Sequence, residues 1–221
     1  MNTSMNTSIK KEERSYVFRK EEKTCVFIDG LSLYSASRNL NFNVDYKKLL
    51  EFFTSKTNVI RVYYYAAIPD TEEYSPLKPL TDWLSYNGYF LVTKPTREFV
   101  DTNGKRHIKG NMDLEIAVDM IEMAPHIDHA VLFSGNSDFR CVVEAVQRHG
   151  TRVSVASSMK SSSLLIGDDL RRQADQFLEL GIISADFTRH LTDSIKPRQS
   201  PIRHPADQTF PEYHEDLENL G

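Results

Sequence analysis

A chain of 221 residues with 40% hydrophobic content can bury one sizeable core and still carry polar tails. Its formal net charge of -4 excludes a global basic field for nucleic acid and leaves room only for a local basic groove. There are two cysteines, Cys25 and Cys141, no apolar run of bilayer length, and a polar, charged N-terminus. These features predict buried free thiols, no membrane span and a cytoplasmic location.

Residues 1–22 are polar, open on a repeated Met-Asn-Thr-Ser, and read as a mobile N-terminal tail. An apolar run over 24–28 reads as the first strand, and Gly30 opens a helix to about Leu40. A second helix is expected over 45–55, starting at Asp45 and burying Leu49, Leu50 and Phe53. Asn58–Ala67 is rich in β-branched and aromatic residues and reads as a strand, with at least part of Tyr63-Tyr64-Tyr65 in the core. A helix over 76–87 places Leu77, Leu80, Trp83 and Leu84 at helical spacing, with Trp83 in the core. Tyr89–Val92 reads as a strand, and Phe99–Ile108 as a hairpin turning at Asn103-Gly104. Asn111–Met123 is a strongly apolar helix with Leu114, Ala117, Val118 and Ile121 on one face, widened by Ile116 and Met120. His126 and His129 read as loop residues before a buried strand over 130–134. A helix from 138 to 149, a strand over 151–156 and a last helix over 164–180 follow. Strands alternating with helices predict a parallel α/β sheet covered on both faces. The folded domain is expected over 23–187, and 188–221 reads as a disordered acidic tail.

Three acids stand at the ends of these elements. Asp29 closes the first strand, Asp138 follows the 130–134 strand through Ser134-Gly135-Asn136-Ser137, and Asp113 sits in the first turn of the apolar helix. Ligands in open parallel sheets bind outside the carboxyl ends of the strands. A carboxylate cluster there suits Mg²⁺ or Mn²⁺, hard cations that prefer oxygen. Each acid alone reads equally well as helix-end chemistry; the coincidence of three favours a site. Asp119 lies deeper in the same helix, rotated away from Asp113, and is secondary.

The stretches Phe27-Ile28-Asp29-Gly30-Leu31-Ser32-Leu33-Tyr34, Lys109-Gly110-Asn111-Met112-Asp113 with Asp119, and Ser134-Gly135-Asn136-Ser137-Asp138-Phe139 resemble the three motifs of the NYN domain. More specifically they resemble its LabA-like branch, within the PIN-like nuclease superfamily. The resemblance covers about residues 23–182, with the motifs in the expected order. It implies a three-layer α-β-α sandwich, a mostly parallel central sheet of strand order 3-2-1-4-5, and the hairpin as an insertion. It also implies a metal-dependent ribonuclease that hydrolyses RNA phosphodiester bonds, using Mg²⁺ or Mn²⁺ held by Asp29, Asp113 and Asp138.

The chain departs from that pattern twice. Ser32 stands where the family usually has Asn, and Asn136 where it usually has Asp. Asn136 is therefore expected to serve as a neutral metal ligand or as a donor behind the ligands, in a site one charge short. Ser32, Lys109 and Arg140 are the candidate substrate contacts. Lys94, Arg97, Lys105, Arg106 and His107 are candidates for a basic arm around the hairpin, and read equally well as a solvated edge ribbon. The expected partner is RNA, single-stranded, with a homodimer through the exposed hairpin as a further option. The alternative function is a catalytically weakened PIN-like RNA-binding or regulatory interaction module. Cofactor or NTPase chemistry lacks a G-x-G-x-x-G or P-loop, the histidines lack zinc spacing, and Ser134-Gly135 forms no serine-hydrolase elbow.

Overall fold

The computed structural model describes residues 16–69, 77–100, 106–160 and 166–189. Seven strands form one sheet: β1 (Lys23–Asp29), β2 (Asn58–Pro69), β3 (Phe90–Val100), β4 (Arg106–Lys109), β5 (His129–Phe133), β6 (Arg152–Ser157) and β7 (Gln176–Glu179). Their spatial order is β4-β3-β2-β1-β5-β6-β7. The six strands from β3 to β7 in that order run parallel, and β4 pairs antiparallel on the outside of β3. The helices are α1 (Gly30–Asn39), α2 (Tyr46–Lys56), α3 (Lys78–Tyr86), α4 (Asp113–Met123), α5 (Phe139–Gln147), α6 (Asp168–Gln173) and α7 (Leu180–Ile183). This is the expected three-layer sandwich, with one more parallel strand than the expected order holds.

Both sheet faces are apolar because the side chains of a strand alternate between them. In β1, Cys25 and Phe27 join Ile116, Met120, Phe139, Val143 and Val146 of α4 and α5 in one layer. Val26 and Ile28 join Leu33, Leu49, Phe53 and Leu84 of α1, α2 and α3 in the other. The tyrosine run divides the same way: Tyr63 and Tyr65 face the first layer and Tyr64 the second, and all three are buried. At the start of α2 the Asp45 carboxylate accepts from the Lys48 backbone N–H at 3.1 Å, an N-cap contact.

Several elements differ from expectation. β3 does not stop at Val92 but continues to Val100 through Pro95. Its pairing with β4 begins only at Arg97, so Pro95 lies where β3 has an open edge, a place that tolerates a missing N–H. The expected Asn103-Gly104 turn lies outside the described residues. The expected last helix is α6, then β7, then α7. The Asp175 carboxylate breaks it by accepting from Val153 N (2.7 Å) and Gln147 Nε2 (2.9 Å), which turns the chain into the sheet.

α4 is rotated relative to expectation. Ile116 and Met120 face the core, whereas Leu114, Val118 and Ile121 are exposed. A helix that is apolar all round does not fix its own buried face. Trp83 is 37% exposed and Leu84 takes the core position of α3. Cys25 is buried as expected, but Cys141 is exposed.

At the amino ends of the strands, residues 16–22 pack on the domain rather than belonging to a tail. Phe18 sits edge-on to Phe52 and Phe53, and the Glu22 carboxylate bonds Arg152 at 2.6 Å and Arg19 at 2.6 Å. His129 is the fully buried first residue of β5, not a loop residue. It bonds the Ser154 hydroxyl at 2.8 Å, and burial with the neighbouring Arg152 charge pushes its imidazole down to about 3. It is a neutral core histidine.

Candidate functional site

The chain after β1 must turn at once into α1, and Asp29 caps that turn. One of its carboxylate oxygens accepts from Leu31 N at 3.1 Å and the other accepts from the Ser32 hydroxyl. Gly30 is required beside it. A Cβ there would lie 2.7 Å from the Tyr65 carbonyl oxygen, closer than real Cβ contacts approach. This packing presses the Asp29 backbone against β2, where Asp29 pairs with Tyr65. Asp29 is buried, and burial raises its carboxyl above the usual carboxylate range.

Asp113 begins α4. Its Oδ2 accepts from Asn111 Nδ2 at 3.0 Å and from Asn136 Nδ2 at 3.1 Å. Burial raises its carboxyl first, the charges of Asp29 and Asp138 raise it further, and the Asn136 bond opposes them. Asp113 thus starts α4 facing the turn that carries Asn136. Asp138 is exposed at the start of α5.

Asn136 joins the two sides of the site. Its Oδ1 accepts from Asp138 N at 3.0 Å while its Nδ2 donates to Asp113, an arrangement that only one orientation of the amide satisfies. Its own N–H donates to the Ser134 hydroxyl at 3.2 Å, and Ser134 Oγ lies 3.5 Å from Ser32 Oγ. A chain of polar contacts thus runs Asp29–Ser32–Ser134–Asn136–Asp113. Without metal, the Asn136 amide thus bonds Asp113 on one side and Asp138 N on the other. Ser32 faces Asp29. Ser134 opens the third motif, and its place in this chain of contacts is not visible from the sequence, because Ser32 lies 102 residues away.

The other described candidates have partners of their own. Asp119 accepts from the buried Tyr65 hydroxyl at 2.8 Å, which explains an acid in an apolar helix. Arg140 points along α5, 3.4 Å from Glu144 and 3.3 Å from Gln173 Oε1. Lys94 pairs with Glu115 at 2.9 Å. The side chains of Arg97, Arg106, His107 and Lys109, and all of Lys105, lie outside the described residues.

The acids suit a hard divalent cation in donor chemistry. Among the described residues, however, no three His, Cys, Asp or Glu side chains are gathered closely enough to enclose one. Mg²⁺ commonly takes only one or two carboxylates and completes its shell with water and substrate phosphate. An open site of two acids with a third beside it meets that requirement.

The sequence pattern of the NYN domain matches residues 23–181. The chain is similar to the low amplitude and bright protein LabA of Synechococcus elongatus, 28% identical over 192 residues, which cover 85% of this chain and 98% of that protein. It is also similar to the crystal structure of a protein of unknown function from Vibrio parahaemolyticus, with a TM-score of 0.62 and 26% identity. That match covers 79% of this chain and 100% of the other. Among the described residues no helix is long and apolar enough to cross a membrane.

Proposed function

This chain belongs to the NYN domain family of PIN-like proteins, and from that membership we propose that it hydrolyses RNA phosphodiester bonds at Asp29, Asp113 and Asp138. The observation that carries the reading is the polar chain Asp29–Ser32–Ser134–Asn136–Asp113, with Asp138 N on the same Asn136 amide, which links acids of three separate stretches. Acids drawn together from separate stretches mark a candidate functional site. Asp29 and Asp113, with Asp138 at the rim, would hold Mg²⁺ or Mn²⁺, which supplies charge neutralisation at the scissile phosphate and a more acidic water. The protein's own contribution is placement. Gly30 presses Asp29 against β2, Ser32 holds its carboxylate and in turn touches Ser134, and Asn136 holds Asp113. The partner is single-stranded RNA, whose backbone can enter the open end of the sheet, and the setting is cytoplasmic.

A second reading is an RNA-binding module without turnover. It is favoured by the neutral Asn136 and by the absence, among the described residues, of a closed three-acid metal cage. Cleavage of labelled single-stranded RNA with Mn²⁺ or Mg²⁺ separates the two. Metal-dependent cutting that Asp29→Asn abolishes is expected. RNA binding with no cutting by the wild type would leave the binding module.

A further inference from the structure

The tyrosines of β2 are buried, but the aromatic column they belong to reaches the surface. Phe27 stacks on Tyr63 with centroids 5.2 Å apart, and Tyr63 meets Phe90 edge-on at 5.3 Å. Phe90 is 49% exposed. The Arg61 guanidinium lies 4.9 Å from the centre of the Phe90 ring. Arg61 is itself exposed and has no carboxylate partner among the described residues.

An exposed ring beside an exposed guanidinium matches the two parts of a nucleotide. The base has a flat apolar face to stack, and the phosphate has a charge to pair. The position fits too. Phe90 pairs with Tyr63 and Val92 with Tyr65, while Asp29 pairs with Tyr65 from the other side. Phe90 is therefore two strands across from Asp29 and two residues towards the amino ends. That is about 12 Å from backbone to backbone at ordinary strand spacing and rise. It lies on the sheet face that carries α4, on the same side as Tyr63 and Tyr65. Along the way, Glu115 is matched by Lys94 and Asp119 is turned onto the Tyr65 hydroxyl. Neither of those acids is left free to repel a strand.

We infer that Phe90, with Arg61 stacked on it, is a base-stacking subsite that holds a nucleotide of single-stranded RNA a few positions from the acids. The inference rests on RNA being the partner and does not require that the RNA be cut.

The test is fluorescence anisotropy with a labelled 12-nucleotide oligouridylate in EDTA, where no metal-dependent cleavage takes place. Wild type, Phe90→Ala, Phe90→Trp and Arg61→Ala are compared, and thermal melts check folding. Phe90→Ala is expected to weaken binding about 5- to 150-fold, the loss carried by one base–aromatic stack. Phe90→Trp is expected to retain binding, and Arg61→Ala to weaken it with a shallower salt dependence. If the wild type cuts RNA and Phe90→Ala neither weakens binding nor raises KM, the subsite is overturned and the hydrolase reading stands. If no protein cuts but Phe90→Ala still loses binding, the subsite stands on the binding-module reading. Failure of the wild type to bind in EDTA overturns the subsite and leaves the hydrolase reading to the metal-dependent cleavage assay.

Discussion

Replacing Asn136 by Asp restores the acid usual in the family, and the structure says what that does to the free protein. The Asn136 Nδ2 donor, 3.1 Å from Asp113 Oδ2, becomes a second carboxylate oxygen. Two full charges at that separation repel by about 5 kcal/mol at an effective dielectric of about 20. Both groups are only half-buried, so solvent and side-chain relaxation reduce this to roughly 1–3 kcal/mol. The lost bond to a charged acceptor adds about 1.5–3 kcal/mol. The oxygen that caps Asp138 N is kept, so α5 should still start in place. The metal-free variant should therefore be about 2.5–6 kcal/mol less stable at neutral pH. At about 2–4 °C per kcal/mol for a domain of this size, its Tm should fall by roughly 5–24 °C. Added Mn²⁺ should return most of that loss, because a cation binds the folded state alone. The assay is a thermal melt of both proteins in EDTA and in Mn²⁺. An unchanged Tm in EDTA, or an Mn²⁺ shift no larger than that of the wild type, would refute the view that the amide holds the acids together without metal.

Asp113→Asn should raise the metal-free Tm at neutral pH by the equivalent of about 0.5–2 kcal/mol, since it removes a crowded charge; an unchanged or lower melt would mean that the charge is not crowded. The wild type follows the matching pH rule. Asp29 and Asp113 have raised folded values, so their contribution is fully present below the ordinary carboxylate range and is lost as pH rises through the raised ones. Relative to Asp113→Asn, wild-type stability should thus fall between about pH 4 and neutrality, which urea titrations at several pH values measure. Gly30→Ala should cost about 1–3 kcal/mol by overpacking against Tyr65, and should weaken Mn²⁺ binding by displacing Asp29; calorimetry showing normal affinity would contradict the second part. Asp119→Ala should cost about 1–3 kcal/mol by stranding the Tyr65 hydroxyl, and adding Tyr65→Phe should recover part of it in chemical denaturation.

The parts of this molecule most legible in the sequence are those where local chemistry and fold demand the same residue. Asp29-Gly30 is both a helix cap and a close approach to β2, and Ser134 to Asp138 is both a strand-to-helix turn and part of the acid cluster. The parts that stayed hidden are those decided by packing at a distance. α4 carries apolar residues on every side, so its spacing could not say that Ile116 and Met120 turn inward while Leu114 and Val118 remain outside. β7 has four residues, too few to show a period of two, and is created by the distant grip of Asp175 on β6. Trp83 lost its expected core place to Leu84, a choice that hydrophobicity alone does not make. The role of Asn136 needed the position of Asp113, a residue 23 places away in the chain.

The segment before β1 bears on where this domain can be cut. The family pattern begins at Lys23, and so does β1. Yet Val17 donates its N–H to Gln176 and accepts from Arg152 with its carbonyl oxygen, so residues at the chain's entry stitch together the starts of β6 and β7. A fragment that begins at the homology boundary would leave the Arg152 guanidinium and the buried end of β5 facing water. It would retain every candidate catalytic acid and still sit on a loosened floor. The smallest self-sufficient unit is longer than the smallest recognisable one.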